Sequence, residues 1–202
     1  MPHVDPPPEK VASPPAGALS PEDLMAAVAR QPEALGRFFD HYVDRVFGLA
    51  YRMLGDRTAA EDVSQEVFLK IHRAIDRLDP QRDPGPWVTT ITCNACREHW
   101  RGAQQKMRQK SVPLDEIADW QDAHPRSGDS PEEDVLRGER NTKVQDALMK
   151  LPDTLREVVI LHDWQGLRHR EIAEMLETSH AAVRKRYSRA LEALAGLLGE
   201  RP

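Results

Sequence analysis

Aromatic side chains make up only 5% of this 202-residue chain, which also has just two cysteines. Two thiols cannot staple a small secreted scaffold, so the fold must rest on an apolar core. No apolar run approaches the roughly 18 residues of a membrane helix. Neither a membrane span nor a signal peptide is expected. Strand-like alternation of apolar and polar residues is missing, which points away from sheets. The chain lacks net positive charge as well: 33 acidic against 28 basic side chains leave −5. Nucleic acid is not excluded by that total, because local patches govern attraction. Basic residues cluster at 97–110 and 184–189, and acidic ones at 115–139. The expectation is a soluble, cytoplasmic, all-α protein of one or two small domains.

The first stretch has almost nothing to bury. Residues 1–19 hold Pro2, Pro6, Pro7, Pro8, Pro14 and Pro15 and read as a disordered proline-rich arm. Order is expected from Ser20-Pro21-Glu22-Asp23, a cap, a proline at the first helical position and acids in the first turn. From Pro32, the residues Leu35, Phe38, Phe39, Tyr42, Val46, Leu49, Ala50 and Met53 trace a broad apolar helix face, which Gly55 ends. Thr58-Ala-Ala-Glu61 has the form of a capping box opening a third helix, with Val63, Val67, Ile71, Ile75 and Leu78 as its buried stripe. The outer face of that helix carries Asp62, Gln65, Glu66 and Leu69. A leucine exposed among polar neighbours suits a partner-binding face, although a solvated helix with one stray leucine has the same pattern.

After the rigid loop DPQRDPGP, Pro86 opens a fourth helix that turns Trp87, Val88, Ile91 and Ala95 inward. Thr90, Asn94, Arg97 and Arg101 form a polar stripe continued by Lys106, Arg108 and Lys110. Guanidinium groups supply charge and stacking, and asparagine a donor–acceptor pair; the combination suits phosphates and unpaired bases. An ordinary amphipathic surface would share the spacing. Cys93, Cys96 and His99 could in principle supply metal ligands or a redox pair. They sit mid-helix without a second ligand cluster, and Cys93, Cys96 and Trp100 are spaced for core packing. Structural thiols are therefore expected, with no metal and no cofactor.

Helical periodicity fades from Gly102, and 104–138 reads as an acidic flexible linker in which Pro113, Pro125, Gly128 and Pro131 interrupt a run of carboxylates. A loop of that length implies two domains, 20–103 and 139–202. The linker is either a plain tether or a mimic of nucleic-acid charge that fills a basic channel on a partner. Beyond it, Val144, Ala147, Leu148 and Leu151 precede Pro152, which opens a helix with Leu155, Val158, Val159 and Leu161. Gly166 separates this helix from Arg168–Leu194, a helix-turn-helix, so four short helices are expected. Ile172, Ala173 and Leu176 recur at helical spacing, Ser179 caps the second helix, and Val183, Tyr187, Ala190, Leu191, Leu194 and Leu198 make one apolar stripe. At about 100° per residue the opposite face carries Ala181, Lys185, Ser188 and Arg189, with Arg184 and Arg186 flanking it. Small residues at the N-terminal end let such a helix approach a major groove, polar side chains meet base edges, and flanking arginines meet phosphates.

The run Ala60-Glu-Asp-Val-Ser-Gln-Glu-Val-Phe-Leu-Lys70, Trp87 with Asn94 seven residues on, Leu151-Pro-Asp-Thr-Leu-Arg-Glu-Val-Val159 and Val183-Arg-Lys-Arg-Tyr-Ser-Arg-Ala190 follow in order. Together they resemble the extracytoplasmic-function (ECF) group of bacterial sigma-70-type sigma factors over residues 20–200. The resemblance implies an all-α fold of two small helical domains, region 2 at 20–103 and region 4 at 139–202, joined by the extended linker. It implies no enzymatic chemistry. Region 2 would bind RNA polymerase core through Asp62, Gln65, Glu66 and Leu69. It would also melt the minus-10 element with Trp87, Thr90, Asn94, Arg97 and Arg101, Asn94 lying near a flipped base. Region 4 would read the minus-35 duplex with His169, Arg170, Ala181, Arg184, Lys185, Arg186, Ser188 and Arg189. The linker would run toward the RNA exit path, and a cognate anti-sigma factor and a stress or signal response are further implications.

The chain departs from the family pattern at four places. Pro84 stands where an aromatic is usual, Glu177 replaces the turn glycine, Arg168 stands where a serine would cap the first helix of the motif, and Lys185 replaces a commoner serine. A conventional helix-turn-helix regulator is the rival reading; it leaves the Asp62 face and the Asn94 stripe without a task. A thiol switch built on Cys93, Cys96 and His99 explains less still.

Overall fold

A computed structural model describes residues 19–109 and 142–199. The proline-rich arm up to residue 18 and residues 110–141, hence nearly all of the acidic linker, lie outside the described residues, as do the side chains of Lys106, Arg108 and Lys110. Every regular element among the described residues is helical.

The first unit is built on α2 (Pro32–Leu54), whose Phe38, Tyr42, Val46, Leu49, Ala50 and Met53 are buried. α1 (Pro21–Val28) is capped by Ser20, whose hydroxyl accepts from the Asp23 amide at 3.0 Å. The chain leaves α1 through Arg30, a non-glycine residue at φ 61°. That conformation is held from outside: the Arg30 guanidinium donates to the carbonyls of His72 (3.0 Å) and Arg73 (3.3 Å) at the end of α3 (Arg57–Ala74). It thus caps a neighbouring helix whose last carbonyls have no partner of their own. Gly55 ends α2 at φ 74°, as expected.

The opening of α3 differs from the expected capping box. Asp56 is the cap, its carboxylate accepting from the Ala59 amide at 2.7 Å. Aspartate caps at least as well as threonine and comes two residues earlier, so Thr58 falls within the first turn. The expected stripe Val63, Val67, Ile71, Ile75 and Leu78 is buried, but the helix ends at Ala74 and tightens to a 3₁₀ turn over Ile75–Arg77.

α4 (Gly85–Gln109) runs past Gly102, where periodicity was expected to end it. Ala103-Gln-Gln-Lys-Met-Arg108 are strong helix formers, so the missing apolar stripe marks the end of a packing surface and not of the helix.

The second unit comprises α5 (142–149), α6 (Asp153–Val159), α7 (His169–Met175) and α8 (His180–Leu198). α6 continues through a π-turn over Ile160–Trp164, and Gly166 at φ 69° turns the chain toward α7. α8 has 19 residues and is not short. Its expected stripe holds only in part: Val183 and Ala190 are buried and Tyr187 and Leu194 half-buried, whereas Leu191 and Leu198 are 42% and 40% exposed. The three helices before α8 are short, and its last turns outrun what they can cover.

The two units touch. Buried side chains of both belong to one apolar cluster. Gly55 lies so close to the Met149 sulfur that any Cβ would collide with it. Arg156, 7% exposed, joins the units with one side chain. Its Nε donates to the Leu148 carbonyl (2.8 Å), Nη2 to those of Met149 (3.2 Å) and Leu151 (2.9 Å), and Nη1 crosses to the Met53 carbonyl (2.8 Å). The guanidinium therefore gathers the carbonyls where α5 and α2 end, among which that of Leu148 also accepts from the Leu151 amide at 3.0 Å.

Candidate nucleic-acid interface

The outer face of α3 is arranged as its periodicity predicts. Asp62, Gln65 and Glu66 are exposed, and Leu69 is 57% exposed. Glu66 pairs with Lys70 (2.9 Å), which also reaches Glu98 on α4 (2.6 Å). Between α2 and α3 lies an open groove of roughly 530 Å3 lined by Phe39, Asp40, Val43, Gln65, Phe68, Leu69 and His72. Gln65 and Leu69 thus stand on the rim of an apolar depression, which the sequence pattern did not reveal because half of its wall comes from α2.

On α4 the expected polar stripe is divided. Thr90 turns its hydroxyl back to the Pro86 carbonyl (2.8 Å), Asn94 and Arg101 are exposed, and Trp87 is half-buried. Arg97 is engaged: its Nη1 donates to Asn94 Oδ1 (2.8 Å) and its Nε to Glu157 on α6 (2.7 Å). Glu157 is 5% exposed, and its burial raises the carboxyl pKa despite the facing guanidinium. Cys93 and Cys96 are buried free thiols. Burial, and then the Glu157 charge, push Cys93 well above the usual range and Cys96 up to about 12, so both are inert. His99 is exposed, and among the described residues no group of side chains could hold a metal ion.

The helix-turn-helix has the expected geometry. Ser179 caps α8 by accepting from the Ala182 amide at 3.1 Å. Glu177 takes the turn at φ 49°, a conformation that costs a non-glycine residue about 1 kcal/mol. Arg168 has no capping side chain, but Glu171 reaches back to its amide at 2.7 Å and supplies half of a capping box. Ala181, Arg184, Lys185, Ser188 and Arg189 are exposed along one side of α8. Arg170 is exposed on α7, where Glu174 stands 4.0 Å away. Arg186 is half-buried, and its charge acts on Glu157.

His169 is not a free surface contact. Its ring lies against His162 (4.5 Å between centroids) and Tyr187 (4.9 Å), with His180 6.3 Å away, and its Nε2 is buried without a partner. His162 Nδ1 donates to the Leu167 carbonyl (2.8 Å), and the Tyr187 hydroxyl donates to Asp163 (2.9 Å). Burial first, then the positive potential of His162, His180 and Arg184, lowers the His169 pKa below 6.5. A histidine whose folded pKa is depressed contributes stability above its unfolded value and loses it as pH falls through that value. The melting temperature of the full chain should therefore drop as pH falls below about 6.5, and His169→Gln should flatten that dependence. An unchanged slope in the variant would assign the loss to other groups.

A bundle with an acidic, amide-bearing outer face, coupled to a helix-turn-helix with a basic outer side, has the form of a bipartite helical DNA-binding protein. Comparison with known proteins narrows the class. The Sigma-70 region 2 model matches residues 38–106 and the Sigma-70, region 4 model residues 141–194. The ECF RNA polymerase sigma factor SigW of Bacillus subtilis is 32% identical over 168 residues, spanning 80% of this chain and 87% of that protein. The ECF RNA polymerase sigma factor BldN of Streptomyces coelicolor is 32% identical over 88% of this chain, which spans 65% of that relative's length. Two solved structures share the fold: CnrH in complex with the cytosolic domain of CnrY (TM-score 0.60, 24% identity, 92% of this chain and 100% of that one) and RpoE in complex with the anti-sigma factor NepR from Bartonella quintana (TM-score 0.63, 20%, 83% and 98%). The chain belongs to the ECF group of the sigma-70 family of RNA polymerase sigma factors.

Proposed function

We propose that this sigma factor binds core RNA polymerase through Asp62, Gln65, Glu66 and Leu69 and directs initiation by melting the minus-10 element and reading the minus-35 element. The observation that carries the reading is one chain holding both an exposed acidic and amide-bearing face on α3, beside an apolar groove, and a helix-turn-helix whose second helix has its basic side open to solvent. Trp87, Thr90, Asn94, Arg97 and Arg101 take the unpaired strand, the arginines by charge and stacking and Asn94 by its amide. His169, Arg170, Ala181, Arg184, Lys185, Arg186, Ser188 and Arg189 serve the duplex, with His169 bracing the others from beneath. The chain does no bond chemistry; trapping unpaired bases stabilises the open complex. It works in the cytoplasm, consistent with the absence of any membrane-length apolar helix among the described residues, and answers a stress or signal under a cognate anti-sigma factor. Residues 20–103 and 139–202 are its working units.

Run-off transcription with core polymerase and promoter templates tests this reading. Promoter-specific transcripts are expected; duplex binding without them would make the chain a conventional helix-turn-helix regulator. Arg189→Ala should weaken minus-35 duplex binding by about 1–3 kcal/mol if the guanidinium meets a base edge. Fluorescence anisotropy on duplex DNA measures this, and an unchanged affinity would remove Arg189 from the interface.

A further inference from the structure

His162, His169 and His180 belong to three successive elements, the π-turn, α7 and α8, and their rings gather at one point of the helix-turn-helix. The His169 ring fills the slot between His162 (4.5 Å between centroids) and Tyr187 (4.9 Å), and His180 stands 6.3 Å away. Tyr187 is gripped further: the His162 ring meets it at 76° and 4.6 Å, and its hydroxyl donates to Asp163 at 2.9 Å. Tyr187 lies on α8 among Arg184, Lys185, Ser188 and Arg189, all exposed. A packed ring at that position fixes the rotation of α8 about its axis, and with it the direction in which its polar side chains project. We propose that His169 is a proton-sensitive wedge: neutral, it locks α8 against α7 and the π-turn for duplex reading; protonated, it leaves the slot and sequence discrimination is lost. The wedge rests on the reading of α8 as the minus-35 helix.

The slot suits a neutral imidazole and rejects an imidazolium. His169 Nε2 is buried with no hydrogen-bond partner. Protonating the ring on both nitrogens puts an N–H there with no acceptor to receive it. The elements packed against α7 bring mostly positive neighbours. From the π-turn come His162 and Asp163, and from α8 come His180, Arg184 and Tyr187. On α7 itself Arg170 is exposed and Glu171 is engaged by the Arg168 amide. The carboxylate that favours a charge on His169, Asp163, already accepts the Tyr187 hydroxyl. Burial and then His162, His180 and Arg184 accordingly lower the His169 pKa. Once released into water the ring titrates at its ordinary value of about 6.5. The reading state thus binds one proton fewer than the released state, so acid favours release below that pH. General attraction to phosphates moves the opposite way, because added positive charge draws DNA of any sequence. The loss therefore appears in discrimination between sequences and not in bare affinity.

The full chain tests this on a duplex that it selects itself. Selection from a random-sequence duplex pool at pH 7.5 supplies the preferred probe, and a scrambled duplex of the same composition is the reference. Fluorescence anisotropy at constant ionic strength measures both down to pH 5.5. The wild-type affinity ratio, preferred over scrambled, should fall at least about threefold and, for one proton, no more steeply than about tenfold per pH unit. The His169→Gln ratio, compared with that variant's own value at pH 7.5, should stay within about twofold, since the amide has no proton to gain. In wild type, NMR follows the His169 ring, assigned by its through-space contact with the Tyr187 ring. Both rings should shift with one midpoint, while circular dichroism keeps the native helical signal. A constant wild-type ratio, an equal fall in His169→Gln, or a Tyr187 ring that ignores the His169 titration overturns the wedge. Loss of helix in step with the ratio overturns it as well, by making the effect one of unfolding. A preferred probe whose ratio is constant leaves the minus-35 reading standing, whereas a selection that enriches no sequence overturns both.

Discussion

Replacing Arg156 with methionine should lower the stability of the full chain by about 3–5 kcal/mol, read by urea unfolding followed through the helical circular dichroism signal. Methionine keeps much of the aliphatic volume, so the loss isolates the guanidinium. Four carbonyls, those of Leu148, Met149, Leu151 and Met53, would lose this donor where little water can reach them, and of the four that of Leu148 keeps the Leu151 amide at 3.0 Å. Each buried acceptor left without a partner costs about 1–3 kcal/mol, and local relaxation recovers part of the sum. Asp153, 3.2 Å from Nη1, would lose its ion pair, but as a half-exposed carboxylate it contributes little. Arg156→Lys should recover only a minority of the loss, because an ammonium is a compact charge and cannot span the ends of two helices as a planar fork does. A methionine variant within about 0.5 kcal/mol of wild type would show that solvent already satisfies these carbonyls.

Reversing two charges on α3, Asp62→Lys together with Glu66→Lys, should weaken binding to core polymerase at least tenfold, since facing like charges across an interface costs several kcal/mol. Both side chains are exposed and neither is part of the core, so folding stability should move by no more than about 0.5 kcal/mol. Lys70 would lose Glu66 but keep Glu98 at 2.6 Å, which limits the local disturbance. Titration of labelled protein with core polymerase gives the affinity, and minus-35 duplex binding serves as the control. Loss of polymerase binding with duplex binding intact supports the assignment; equal loss of both would mean misfolding, and unchanged polymerase binding would move the contact elsewhere.

Much of the molecule was legible because helices announce themselves locally. The spacing of Val63, Val67 and Ile71 placed α3 and its outer face, Gly55 and Pro152 marked helix ends, and Ser179 marked the start of α8. These signals act within a few residues, where periodicity and capping are enough. Errors arose where two local signals competed or where packing decided. Asp56 displaced the Thr58 capping box, the chain beyond Gly102 remained helical without an apolar stripe, and Leu191 and Leu198 lay beyond the reach of the small second unit.

By itself, the sequence determined the helix positions, the presence of a helical bundle followed by a helix-turn-helix, and the family, because all of these rest on short-range patterns and on residue types in order. Only the tertiary structure decided that Arg156 of the Leu151–Val159 run is the clamp between α5 and α2, that Leu69 borders a groove half built by α2, and that Arg97 is held by Glu157 instead of standing open. Each of these joins residues far apart in the chain, Arg156 with Met53 or Arg97 with Glu157. A side chain's partner across such a distance is set by how helices pack, which no local periodicity encodes.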